Sequence, residues 1–232
     1  MIRVVLLGFF LGISIDSFSQ TWETNFTGAI GNSEGTISAM VGYDWELWKS
    51  KKFAIGVGGR VTSYFGTNQY YITAPAELTS GSTGPGVIFK ENIDENIDTF
   101  LIKSPQVNSI NVFINLRYKF NEKLIIGFNI DAIGFSLGAQ KSGNYINGTQ
   151  TAVENSKPTA FNVLLISDND RGSLNSELYG KYYLNDTWGI KLGVQFLFTE
   201  YTTDTEVQQF PEPNDRFRNK SLLLAFGIVC KL

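Results

Sequence analysis

The sequence contains no histidine. That absence removes the commonest general base, the commonest metal ligand and the one side chain whose ordinary pKa lies near neutrality. There is one cysteine, Cys230, so no internal disulfide is possible. Charge is sparse, at 18% of 232 residues, and proline is scarce, at 6. The 19 basic residues are outnumbered by 22 acidic ones, for a net charge of −3, so no basic excess points to nucleic acid.

What is present is glycine, at 23 residues, and aromatic side chains, at 14%. That mixture suits an all-β chain with many turns. The clearest stretch is residues 107–136, which reads as two strands about a tight turn at 121–123. Ile110, Val112, Ile114, Leu116, Tyr118 and Phe120 share one face, with Asn111, Asn115, Arg117 and Lys119 opposite. After the turn, Leu124, Ile126, Phe128, Ile130 and Ala132 oppose Gly127, Asn129 and Asp131. Side chains alternate across a strand, so period-two patterning marks a strand with two unlike sides.

The same alternation recurs at 22–30, 37–48, 53–65, 174–184, 188–199 and 221–232, which makes eight strands. Tight turns at 49–52, 121–123 and 185–187 alternate with polar connections of 41, 37 and 18 residues at 66–106, 137–173 and 202–219. Short turns on one rim and long loops on the other are the pattern of a membrane-spanning barrel. The expectation is an all-β, eight-stranded, antiparallel, up-and-down transmembrane β-barrel with short periplasmic turns and long extracellular loops. Residues 1–19 read as a secretory signal: Arg3 is its positive start, 4–15 an apolar run too short to span a bilayer, and Ser17 and Ser19 the small residues before cleavage. Residues 20–232 would then form the barrel domain.

Alternation alone does not say which face points outward, because a soluble barrel of the lipocalin kind alternates too. Three features favour apolar side chains outside. The apolar face carries no charge within these spans, and a lysine or arginine facing lipid costs about 2–4 kcal/mol at the bilayer midplane. The other face holds near-balanced charge, with Asp44, Glu46, Arg60, Arg117, Asp131, Glu177, Lys181 and Lys191 forming the expected lumen network. Trp22, Trp45, Trp48 and Trp188 all fall at strand ends beside the short turns, as expected of interfacial anchors. Eight strands enclose a lumen that side chains can fill.

Little else carries chemistry. Asp131 and Glu177 are an acid/base pair on paper, but charge balance in a lumen accounts for them. ENIDENID at 91–98 and DNDRG at 168–172 match no calcium-loop spacing and read as solvated acidic loops. No cofactor is expected.

The last strand, LLLAFGIVCKL at 222–232, places hydrophobic residues at alternate positions to the end. Together with the hairpin pattern it resembles the small outer-membrane β-barrel families, the OmpA/OmpX-like and OmpW-like proteins. Leu232 stands where those families usually end in Phe or Trp. The resemblance implies a Gram-negative outer-membrane location, with outer-membrane lipids and lipopolysaccharide around the wall. It also implies recognition of the last strand by the barrel-assembly machinery. Barrel enzymes of that membrane use a histidine, which this chain lacks, so a non-enzymatic role follows. That role is structural, or surface contact with an extracellular partner through the long loops. An OmpW-like conduit for small apolar molecules is the alternative, needing an apolar upper lumen from Phe113, Ile133, Phe135, Leu197 and Leu223.

Overall fold

The computed structural model describes residues 20–148, 150–165 and 169–232. The signal-peptide reading of 1–19 lies outside the described residues, as does Asp168 of the second acidic loop. Thirteen strands among the described residues form one antiparallel sheet. They are β1 Gln20–Ile30, β2 Glu34–Leu47, β3 Phe53–Gly66, β4 Gln69–Thr73, β5 Thr99–Ile102, β6 Gln106–Lys119 and β7 Leu124–Leu137. Then follow β8 Lys141–Asn147, β9 Gln150–Pro158, β10 Phe161–Val163, β11 Leu174–Tyr183, β12 Trp188–Thr203 and β13 Arg216–Lys231.

Where eight strands were expected the described residues hold thirteen, the eight long ones and five short ones besides. The long strands β1, β2, β3, β6, β7, β11, β12 and β13 each pair with the next, and β13 returns to β1. The additional strands, β4, β5, β8, β9 and β10, lie inside connections whose Ser, Thr, Gly and Asn content disguised them. They are short, from 3 to 9 residues, and borrow their order from longer neighbours.

The first extension is a continuation of an existing hairpin. Phe65 faces Gln106 in the β3–β6 ladder, and Gln69 faces Ile102 in the β4–β5 ladder, so the register is unbroken. Between them the chain bends at Asn68, with φ 51°, a left-handed conformation that asparagine tolerates. The bent hairpin reaches β13, where Thr73 meets Phe217. The hairpin β8–β9 fills the remaining gap, pairing with β5 on one side and β12 on the other. Pairing thus runs β12–β13–β4–β5–β8–β9 and back to β12. This second ring of short strands crowns the first and shares one hairpin with it.

A β-bulge sets the wall beside the crown. Val112 pairs with Ile133 and Phe113 with Asp131, leaving Ala132 as the extra residue. A bulge reverses the parity of every residue beyond it. Ile133 and Phe135, expected in the lumen, therefore lie on the outer face at 46% and 63% exposure. Phe113, Leu197 and Leu223 do face inward and are buried.

Candidate functional site

The interior is the place where this sequence concentrates chemistry, and the alternation of each long strand delivers it there. At the short-turn end, Glu23 of β1 takes hydrogen bonds from Lys181 and Tyr183 of β11. The Lys231 ammonium lies 3.7 Å from the centre of the Tyr183 ring. One step up, Arg117 Nε sits 2.9 Å from Asp44 Oδ2, with Glu46 at 3.9 Å from Nη2. Asp44 also accepts from Asn115 Nδ2 at 2.9 Å, and Tyr179 donates to Asn115 Oδ1 at 2.7 Å.

The middle level is built around Arg60 and Asp131. Arg60 donates through Nε at 2.9 Å and Nη2 at 2.6 Å to Asp131 Oδ1. The other oxygen accepts from Asn111 Nδ2 at 2.8 Å and from the backbone N–H of Asn175 at 3.0 Å. Lys191 Nζ stands 2.8 Å from Glu177, which also lies 3.8 Å from Arg60 Nη1. Phe113 lies under Arg60, its ring centre 5.4 Å from the guanidinium carbon. Such charges are out of bulk water, and burial is tolerable because each has an opposite charge or a hydrogen-bonding partner.

All eight residues expected to form the lumen network face inward, and every one lies within 4.0 Å of an opposite charge. They form separate clusters along the barrel rather than one site. Glu23, Asn111, Asn115 and Tyr179 join these eight, as their inward parity on β1, β6 and β11 implies. Glycines make room for the largest members. A Cβ on Gly127 would collide with the Tyr179 hydroxyl, and one on Gly58 with the Phe113 ring.

Above the charges the interior turns aromatic. Tyr71, Phe100, Tyr201 and Phe217 are fully buried inside the crown. Tyr71 and Tyr201 meet edge to face at 5.3 Å, and Phe100 tilts against Phe217 at 5.5 Å. Tyr71 shares a hydrogen bond with Thr199 at 3.2 Å, and Tyr201 exchanges two with the backbone of Gln106, each 3.0 Å. At the edge of this core Tyr145 donates to Asp98. Burial, together with that carboxylate, pushes the Tyr145 phenol up to about 12, and burial also raises Asp98. A further cluster, unseen in the sequence, joins Glu200 to Arg216 at 2.9 Å and Arg218 at 2.8 Å on the crown side of β12 and β13.

The outer wall is the reverse. Phe26, Val61, Ile114, Leu178, Leu192, Leu224 and Ile228 are all exposed there, while Asp131, Glu177 and Lys191 are buried within. The chain is an inside-out β-barrel. Trp22, Trp48 and Trp188 are exposed at the short-turn rim, and Trp45 is half-buried against Tyr43 at 4.8 Å. Among the described residues no group of three acidic or cysteine side chains is placed to hold a metal ion. Asp94 is exposed while Asp98 of the same acidic loop turns inward to Tyr145.

No protein-family model and no curated protein matches this chain. Solved structures with a similar arrangement include Neisserial surface protein A, 10% identical, covering 94% of this chain and 100% of that chain at a TM-score of 0.38. The attachment invasion locus protein Ail of Yersinia pestis is 8% identical over 94% of this chain and 100% of its own, at 0.35. Outer membrane protein AlkL, solved in lipid bilayers, is 9% identical over 94% of this chain and 93% of its own, at 0.38. The architecture described above stands on the barrel's own strand pairing.

Proposed function

We propose that this barrel is a non-enzymatic protein of the Gram-negative outer membrane, with a closed lumen and a rigid crown that meets partners outside the cell. Apolar side chains on the wall and paired charges within suit a wall in lipid, where every backbone group must be paired by closure. The observation that carries the closed-lumen reading is the crown's aromatic core. Tyr71, Phe100, Tyr201 and Phe217 have no accessible surface, and they lie above the charge clusters, so two unlike barriers stand in series. A crown built of paired strands offers a preorganised contact surface, which costs less ordering on binding than mobile loops do. Lipopolysaccharide and an extracellular macromolecule are the classes of partner such a surface would meet.

The conduit reading keeps less support. Of its five apolar lumen residues, Ile133 and Phe135 stand on the outer wall. Planar-bilayer recording on the refolded mature chain separates the two. The expected trace is that of the bare bilayer, and steady conductance under mild conditions contradicts the closed lumen. Fractionation with a heat-modifiability gel tests the location, and recovery as a soluble periplasmic protein contradicts it.

A further inference from the structure

The two ends of the barrel differ in charge. The connections on the crown side, 66–105, 138–173 and 204–215, hold 12 acidic and 5 basic residues, a net of −7. The three short turns, 48–52, 120–123 and 184–187, hold Lys49, Lys51, Lys52 and Lys123 against Glu122 and Asp186, a net of +2. Glu122 is already occupied by Lys119 at 2.8 Å. The other four lysines are exposed, and none has an ion pair among the described residues, in contrast to the lumen cations.

These lysines are gathered on one side of the rim. β3 and β6 are neighbours, so the turns after β2 and after β6 lie side by side, and Lys119 N–H donates to Lys52 C=O at 2.7 Å between them. The third turn carries Asp186 and no lysine. Along the same side runs an aromatic series: Trp48 to Phe53 at 5.4 Å, Phe53 to Tyr118 at 4.7 Å and Tyr118 to Phe120 at 4.8 Å. Trp48 and Lys51 hold left-handed backbone, φ 59° and 52°, where glycine or asparagine would be unstrained. Trp48 is 70% exposed, so burial in the protein does not account for its place.

We infer that this side of the short-turn rim is a docking surface for the phosphate headgroups of anionic phospholipids. The inference rests on the membrane reading above and adds a lipid class and a place. Aromatic rings favour the depth of the headgroups, and lysine stems reach from there toward phosphate. The complement is charge: four unpaired ammonium groups beside an apolar wall fit an anionic surface.

The test uses the folded full chain in detergent, with phosphatidylglycerol or phosphatidylcholine added, and counts retained lipid by native mass spectrometry. The expected result is a preference of about tenfold for phosphatidylglycerol, declining with salt. The Lys49→Gln, Lys51→Gln, Lys52→Gln, Lys123→Gln variant should bring the ratio close to one. A control changing Lys90, Lys103, Lys141 and Lys157 to glutamine should keep it. Equal retention of both lipids by the wild type overturns the inference, as does equal loss in the control or a preference indifferent to salt. Co-sedimentation with peptidoglycan in the absence of lipid preference overturns it in favour of a polymer. Heat-modifiable mobility reports folding separately. A wild type that never forms such a barrel removes the membrane reading and this inference together, whereas a folded barrel without preference removes only this one. Should the quadruple variant misfold, the wild-type ratio and its salt dependence still decide.

Discussion

At the residue scale, Asp131 is the most heavily engaged carboxylate of the lumen. It accepts two hydrogen bonds from Arg60, one from Asn111 and one from the backbone of Asn175. Removing it leaves Arg60, at 1% exposure, with Glu177 at 3.8 Å as its remaining counter-charge. Stranding one member of a buried pair costs about 3–5 kcal/mol, far more than the pair itself contributes. Asp131→Ala should therefore lower stability by that order in urea unfolding of the refolded protein. Arg60→Met with Asp131→Leu should lie closer to wild type, because neither charge is then left alone. A single variant as stable as the double would show that Arg60 finds water or another partner. These residues were legible in the sequence because parity places them inward. Their partners were not, because alternation gives the face but not which strands stand opposite across the lumen.

At the element scale, the bulge at Ala132 decides what the upper wall presents. Alternation in IDAIGF slips phase between Ala132 and Ile133, and this local signal was available in the sequence. Continuous alternation would place Ile133 and Phe135 inward, and the bulge is what overturns that expectation. Deleting Ala132 removes the extra residue and restores a single phase, with Asp131, Gly134 and Ser136 inward and Ile133 and Phe135 outward as they already stand. The deletion should keep heat-modifiable mobility, and its loss would show that the bend the bulge puts into β7 is itself needed to close the barrel. The crown was less legible still. Segments such as β8, KSGNYIN, and β9, QTAVENSKP, carry no clear alternation and gain their order from β5 and β12. Tyr145 gives the crown a pH signature. Its phenol is held at about 12 in the folded crown, above the value near 10 of a free tyrosine. A raised pKa contributes stability that is whole below pH 10 and lost as pH climbs through 12. Asp98 is also raised, so its contribution is full in acid and falls as pH rises through its titration, and acidification should not open the crown by this route. Phenolate absorbance of wild type minus Tyr145→Phe should titrate near 12, and a midpoint near 10 would mean that the Asp98 contact is absent in solution.

For the whole molecule, the decisive property is which side of the wall meets which solvent. Leu192 and Gln195 lie on the same strand, three residues apart, and so face opposite ways. Leu192 is 54% exposed on the outer wall, whereas Gln195 is buried, accepts from Thr36 at 2.9 Å and stands opposite Glu177 in the ladder. An arginine at 192 would put a cation against acyl chains, at about 2–4 kcal/mol near the midplane. At 195 it would enter a crowded lumen but find a carboxylate beside it. Leu192→Arg should reduce the folded fraction in a bilayer-insertion assay several-fold more than Gln195→Arg. In detergent-free buffer the order would reverse for a water-soluble barrel, since arginine on a wetted wall is harmless and arginine in a core is not. The comparison therefore tests the solvent of the wall itself, and the lumen, the crown and the short-turn rim all take their meaning from that solvent.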